Sequence, residues 1–458
     1  MHSGIITTAL FLGLATVGPG AVRAQTAPAQ SDARIYEIID AVSAERLEED
    51  IRILAGFGTR STLSDTLSAT RGIGAARRWI KSEMDAISAA CGGCLEVSFE
   101  GALVPGSERG RIREDTWVVN VMAIQRGTVH PNRYIIMSGD IDSRPSDASD
   151  GVTDAPGAND NASGMAGVIE AARVLTRYTF PSSVVYLGLS GEEQGLFGGQ
   201  HIAGLAVDRG WDVVGVLNND MIGNIEGVDG VIENNTFRVF SEPTPFTDDL
   251  DALRRRRTTG GEVDGPSRQI ARYVARITDQ YIPNLDAIMI YRLDRFGRGG
   301  HHRPFNDRGF PGVRIMETHE YYPRQHQDVR VEDGVEYGDV IEGVNFDYAA
   351  RLTAVNAATM ASIAWGPPAP ANVAIGGAVR ASAFLVWDRV EHPDLAGYKV
   401  YWRETTAPRW QHARFVGDVG EYTFEGLVID NYLFGVASVA RDGNESPVVF
   451  PGGVAPRR

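Results

Sequence analysis

The chain reads as an α/β protein: a three-layer α/β/α sandwich with a mostly parallel central sheet, followed by a C-terminal all-β, immunoglobulin-like sandwich. Three observations predict this. Short apolar runs alternate with helical stripes up to residue 366. One run, Val184-Val185-Tyr186-Leu187-Gly188-Leu189, is apolar throughout, as strands covered on both faces are. After Gly366-Pro367-Pro368-Ala369-Pro370-Ala371 the pattern changes to short alternating strands separated by turns.

In chain order, residues 38 to 90 read as helical. Leu47, Ile51 and Leu54 share one face, and Ala75, Trp79 and Ile80 share another; Gly56 and Gly58 end the first helix. Tyr134-Ile135-Ile136-Met137 is a short strand. A glycine-rich loop from Asp154 to Gly164 leads into a helical stripe of Met165, Val168, Ile169, Ala172 and Leu175. Val213 to Leu217 and Val313-Arg314-Ile315-Met316 read as further strands, and Tyr348 to Ala364 as the closing helix. The Pro-rich segment that follows predicts an extended, stiff linker crossed by few contacts, so that removing what lies beyond it should leave the first unit intact.

The composition, 458 residues with 43% hydrophobic and 22% charged, is that of a globular protein of more than one domain. A net charge of −15 argues against nucleic acid as a partner, which needs a basic face. The one dense basic run, Arg254 to Arg257, reads as a solvated surface. At the N-terminus, Ile5 to Val17 is an apolar segment and Ala21-Val22-Arg23-Ala24 supplies small residues before a cleavage point at Gln25. This predicts a signal peptide over 1–24, a flexible leader over 25–37, and a secreted or periplasmic protein. No later stretch reaches the ~20 apolar residues of a transmembrane helix. The two cysteines, in Cys91-Gly92-Gly93-Cys94, are expected to form a local disulfide in such a compartment.

Acidic residues and histidines gather where strands end. Asp140 and Asp142 follow the Ile135 strand. Asp160 lies in the glycine-rich loop. Glu192 and Glu193 follow the Val184 strand, Asp220 follows the Val213 strand, and His326 comes after the Val313 strand. Sites in open α/β sheets form at the carboxyl ends of strands. Carboxylates and imidazoles converging there suit zinc or a similar divalent ion.

These stretches resemble peptidase family M28, zinc aminopeptidases with co-catalytic metals. The resemblance runs over about 38–365, best in Gly157 to Gly164 (GANDNASG), Ser190 to Gly198 (SGEEQGLFG) and Asn219 to Gly223 (NDMIG), with Gly309-Phe310-Pro311-Gly312-Val313 further on. It implies a domain over 38–366 that acts as an exopeptidase of the aminopeptidase type with two divalent metal ions, zinc in the family; the extra negative charge of Asp140 leaves manganese open. Asp160 would bridge them, Glu193 and His326 would hold one, and Asp220 the other. Glu192 would be the general base and Asp142 a supporting carboxylate.

Two departures stand out. The family's His-x-Asp reads Asp140-Ile141-Asp142 here, so Asp140 stands where a histidine ligand would be. A carboxylate can still bind a metal, and Asp140 is expected to pair with Asp220 on the second ion. The family's Ser-Asp-His reads Gly300-His301-His302, which makes His302 and His301 candidates for contacting substrate or its oxyanion. Losing the histidine also leaves open a single zinc on Asp160, Glu193 and His326, as in glutaminyl cyclases. A metallo-carboxypeptidase and a catalytically degenerate binding protein stay open beside it. Residues 367–458 resemble a fibronectin type III domain, with Trp387 as the core tryptophan and a role as a spacer or as the site of a docking partner expected of it.

Overall fold

The computed structural model describes residues 28–455. The signal peptide expected at 1–24 lies outside them. Within the expected leader, Asp32 is already buried and caps a helix, α1 (Ala33–Ala41), by accepting the Arg34 N–H. Helical structure is therefore already present within the expected leader. Helix α2 (Ala44–Gly56) starts at Ser43, whose hydroxyl accepts the Arg46 N–H, and α3 (Gly72–Ala90) follows. Cys91 and Cys94 form a disulfide just past the end of α3.

Eight strands form the main sheet: β1 (Leu95–Val104), β2 (Thr116–Gln125), β3 (His130–Asp140), β4 (Ser182–Leu189), β5 (Asp212–Asn219), β6 (Thr236–Ser241), β7 (Asp286–Ile290) and β8 (Gly312–Glu317). Their spatial order is β1-β2-β4-β3-β5-β8-β6-β7. The centre, β4-β3-β5-β8, is parallel. The flanks are mixed: β1, β2 and β4 pair antiparallel, as do β6 and β8. Strands β1, β2, β6 and β7 are not among the strands expected from the sequence; β1 and β7 are partly exposed.

Alternation along β3 makes the three layers. Ile135 and Met137 pack into one core, with α4 (Gly164–Leu175) and the long helix Phe346–Trp365. Tyr134 and Ile136 pack into a second core on the opposite face, with Ile202, Ala203 and Phe305. Arg254 to Arg257 lie on a helix, Leu250–Thr259, that buries none of its residues.

The C-terminal part consists of two sheets. Ala371–Gly376, Ala383–Asp388, Glu421–Phe424 and the short Gly453–Val454 form one. Leu395–Glu404, His412–Gly417 and Tyr432–Ala440 form the other. Trp387, Tyr398, Val400 and Phe434 share the core between them. This part is not loosely tethered, contrary to the expectation from its Pro-rich entry. Arg403 meets Asp264 at 2.7 Å with both side chains buried. The Tyr273 hydroxyl donates to the Glu445 carbonyl at 2.9 Å, and Asn444 and Ser362 hydrogen-bond at 2.9 Å.

Candidate metal centre

The parallel centre of the sheet carries its functional side chains just beyond the strand ends. Asp140 is the last residue of β3, and Asp220 directly follows β5. Glu192 and Glu193 open a single helical turn after β4, Glu192–Gly195, which Gly191 enters with φ +73°. A side chain at Gly191 would be strained by that backbone, which brings the two glutamates sharply round the strand end.

Three of the expected ligands meet. The His326 Nε2 lies 3.0 Å from a carboxylate oxygen of Asp160 and 3.1 Å from one of Glu193. One donor atom from each residue falls within 4.8 Å of the others, and among the described residues no other trio of potential ligands does so. Two carboxylates and one imidazole beside a cavity are a donor set that would hold a catalytic zinc ion, so these residues fit it. Their charges act on one another strongly. Burial would lower the His326 pKa, but Glu193 and Asp160 outweigh it and raise it to about 9. Burial would likewise raise Asp160, yet the His326 hydrogen bond and charge hold it well below the carboxylate range.

Glu192 stands beside this trio. Burial, then the negative charges of Glu193, Asp220, Asp140 and Asp160, push its carboxyl well above its usual value. Asp142 is fully buried and accepts the backbone N–H groups of Glu192 (3.3 Å) and Glu193 (3.2 Å). It therefore fixes the turn that carries the glutamates rather than facing the reacting atoms.

Asp140 and Asp220 do not join the trio. The Asp140 Oδ1 lies 2.5 Å from the His301 Nδ1, and its other oxygen accepts from the Asn161 side chain at 2.8 Å. Burial pushes Asp140 up to about 8 and the His301 imidazole down to about 4. Asp220 meets the guanidinium of Arg314 at 2.8 Å. His302 is completely buried, with its Nε2 2.9 Å from the Leu293 carbonyl. Neither histidine lines the cavity in front of Glu192, which corrects the expectation that they face the substrate: the first is held on Asp140 and the second on backbone.

That cavity measures about 790 Å3. Asp160, Glu192, Glu193, Asp220 and His326 line it, together with the arginines 111, 144, 295, 298, 303 and 308. Sequence reasoning missed those arginines and three residues that shape the site from behind. The buried Arg60 guanidinium donates to the carbonyls of Ile141 (2.8 Å), Gly157 (2.9 Å) and Pro156, tying the Asp140–Asp142 segment to the glycine-rich loop. Asp339 accepts the N–H groups of Asn159 (2.9 Å) and Asp160 (2.6 Å). Glu317 accepts from the Asn159 side chain at 3.0 Å and the Asn224 N–H at 2.7 Å. None sits in a motif with a spacing of its own.

Comparison with known proteins agrees with this geometry. The model of peptidase family M28 matches residues 120–330, which hold the ligand trio and Glu192. A protein of Leptosphaeria maculans named as a probable zinc metalloprotease is 40% identical over 95% of this chain and 99% of its own length. A protein of the same description from Pyrenophora teres f. teres is 39% identical over 94% of this chain and 90% of its own. Among solved structures, an aminopeptidase of Legionella pneumophila, LapA, shares the fold with a TM-score of 0.51 at 18% identity, over 73% of each chain. With the ligand trio, the neighbouring glutamate and relatives matched along nearly their whole length, the chain belongs to peptidase family M28 as a zinc metalloprotease.

Proposed function

We propose that the protein is an exported exopeptidase of the aminopeptidase type, which removes N-terminal residues from peptides. The observation that carries this is the trio Asp160, Glu193 and His326 with Glu192 beside it at the wall of an open cavity. A zinc ion bound there would polarise the scissile carbonyl and acidify a water molecule. Glu192 then has two tasks: it takes the water's proton and delivers one to the leaving amine. Burial and the neighbouring carboxylates raise its pKa well above the usual carboxylate value. Asp142 keeps the Glu192–Glu193 turn in place through the two backbone N–H groups. The aminopeptidase type is supported by the likeness of the fold to that of LapA, a solved aminopeptidase.

The arginines of the same cavity favour a second reading, a carboxypeptidase, since guanidinium groups are suited to a free α-carboxylate. Export rests on the N-terminal apolar segment and the disulfide. The C-terminal sheets fit a fibronectin type III-like unit that holds a docking partner.

Peptides blocked at one end separate these readings. The aminopeptidase reading expects cleavage of C-terminally amidated peptides, none of N-acetylated ones, loss of cleavage on chelation and recovery with zinc. Cleavage of N-acetylated peptides with a free carboxylate would establish the second reading. A metal-loaded protein that cleaves neither overturns both.

A further inference from the structure

We infer that the guanidinium of Arg314 replaces the second metal ion, so that the centre holds one divalent cation, on Asp160, Glu193 and His326. The inference rests on the metallopeptidase reading above.

A second ion would need Asp140 and Asp220 as ligands and would share Asp160 with the first. Both residues are present at their strand ends, but both already have partners. Arg314 lies on β8, opposite Asn218 of β5, two residues before Asp220. Its side chain is wholly buried. One end of the guanidinium meets Asp220 at 2.8 Å. The other end lies 3.2 Å from Asp294 and donates to the Gly299 carbonyl at 2.8 Å. The cation is therefore anchored from behind by Asp294 and presented forward to Asp220, as a fixed charge rather than a mobile side chain. An arginine in such a place stays charged at any working pH.

Asp140 is equally engaged. One oxygen is on His301 at 2.5 Å and the other on Asn161 at 2.8 Å. The two departures from the family pattern thus meet in space. An acid stands where the family has histidine, a histidine stands where it has an acid, and the two touch each other. A dication placed between Asp140 and Asp220 would lie against the buried guanidinium, would be repelled by it, and would have to displace both existing sets of hydrogen bonds. Compensating Asp220 with a covalently attached cation removes the reason for a second ion: the carboxylate is neutralised without one.

The test is metal stoichiometry of the purified full-length chain, by elemental analysis and by zinc titration of the chelated protein. One equivalent is expected. Asp220→Asn is expected to keep that equivalent, and Glu193→Gln or His326→Ala to lose it at least tenfold in affinity. Two equivalents, with one lost in Asp220→Asn or in His301→Ala, would overturn the inference, the latter because the buried His301 Nε2 has no partner and would then be a ligand. One equivalent that Asp220→Asn releases would overturn it as well. No bound equivalent would overturn the metallopeptidase reading instead. Thermal unfolding of each variant, with Arg314→Lys to keep the charge in place, separates loss of metal from loss of fold: Arg314→Lys should still bind one equivalent, and binding of two would contradict the inference.

Discussion

Arg403 and Asp264 lie 139 residues apart in the chain and 2.7 Å apart in space, with no more than 1% of either side chain exposed. Asp264 also takes Arg272 at 2.6 Å, so one buried carboxylate holds two guanidinium groups, one from each part of the molecule. The C-terminal sheets are joined to the metallopeptidase unit through its interior.

Removing one partner of a buried ion pair leaves the others uncompensated. Asp264→Ala is therefore expected to destabilise the protein by about 3–5 kcal/mol. Truncation after residue 366 should go further, since it also uncovers Tyr273 and Ser362. Thermal or urea unfolding measures both. A truncated chain as stable as the full protein would show that the interface contributes nothing, as the Pro-rich segment alone suggested.

Asp142 should act on rate more than on metal content, because it holds the turn at Glu192, the base, as well as at Glu193, one of three ligands. Asp142→Ala frees the N–H groups of Glu192 and Glu193 and loosens the turn. A fall in kcat of about 10–100-fold is expected, as for groups that orient metal-site residues. Asp339→Ala should instead weaken metal binding, because Asp339 holds the backbone of Asp160. Steady-state kinetics beside metal analysis distinguishes the two, and equal metal loss in both would remove the distinction.

The disulfide should matter little. Cys91 and Cys94 are three residues apart, and a loop that short constrains the unfolded chain weakly. The double variant Cys91→Ser, Cys94→Ser is expected to lose at most about 2 kcal/mol of stability and no activity. Loss of peptidase activity under mild reduction would contradict this.

What was legible in the sequence was the local part. Apolar runs gave β3, β4, β5 and β8; acids after β4 gave Glu192 and Glu193, and the glycine-rich loop gave Asp160. What was not legible depends on contacts between distant segments. Arg314 sits inside an apolar strand run, where a charge has no meaning until Asp220 and Asp294 are found on either side of it. Asp339 and Arg60 lie far from any motif, yet they fix the loop that carries Asp160. The Pro-rich segment misled because proline content describes the stiffness of a link. It says nothing of the surfaces that meet around it.

The most direct test of the account is Glu192→Gln, assayed for turnover and for bound zinc in the same preparation. Glu192 stands next to the ligand trio without belonging to it. The account predicts full zinc content, an unchanged melting profile and turnover lowered by at least ~10²-fold, the low end for loss of a general base. Turnover close to that of the unaltered protein, with zinc in place, would contradict it and mean that another group moves the proton.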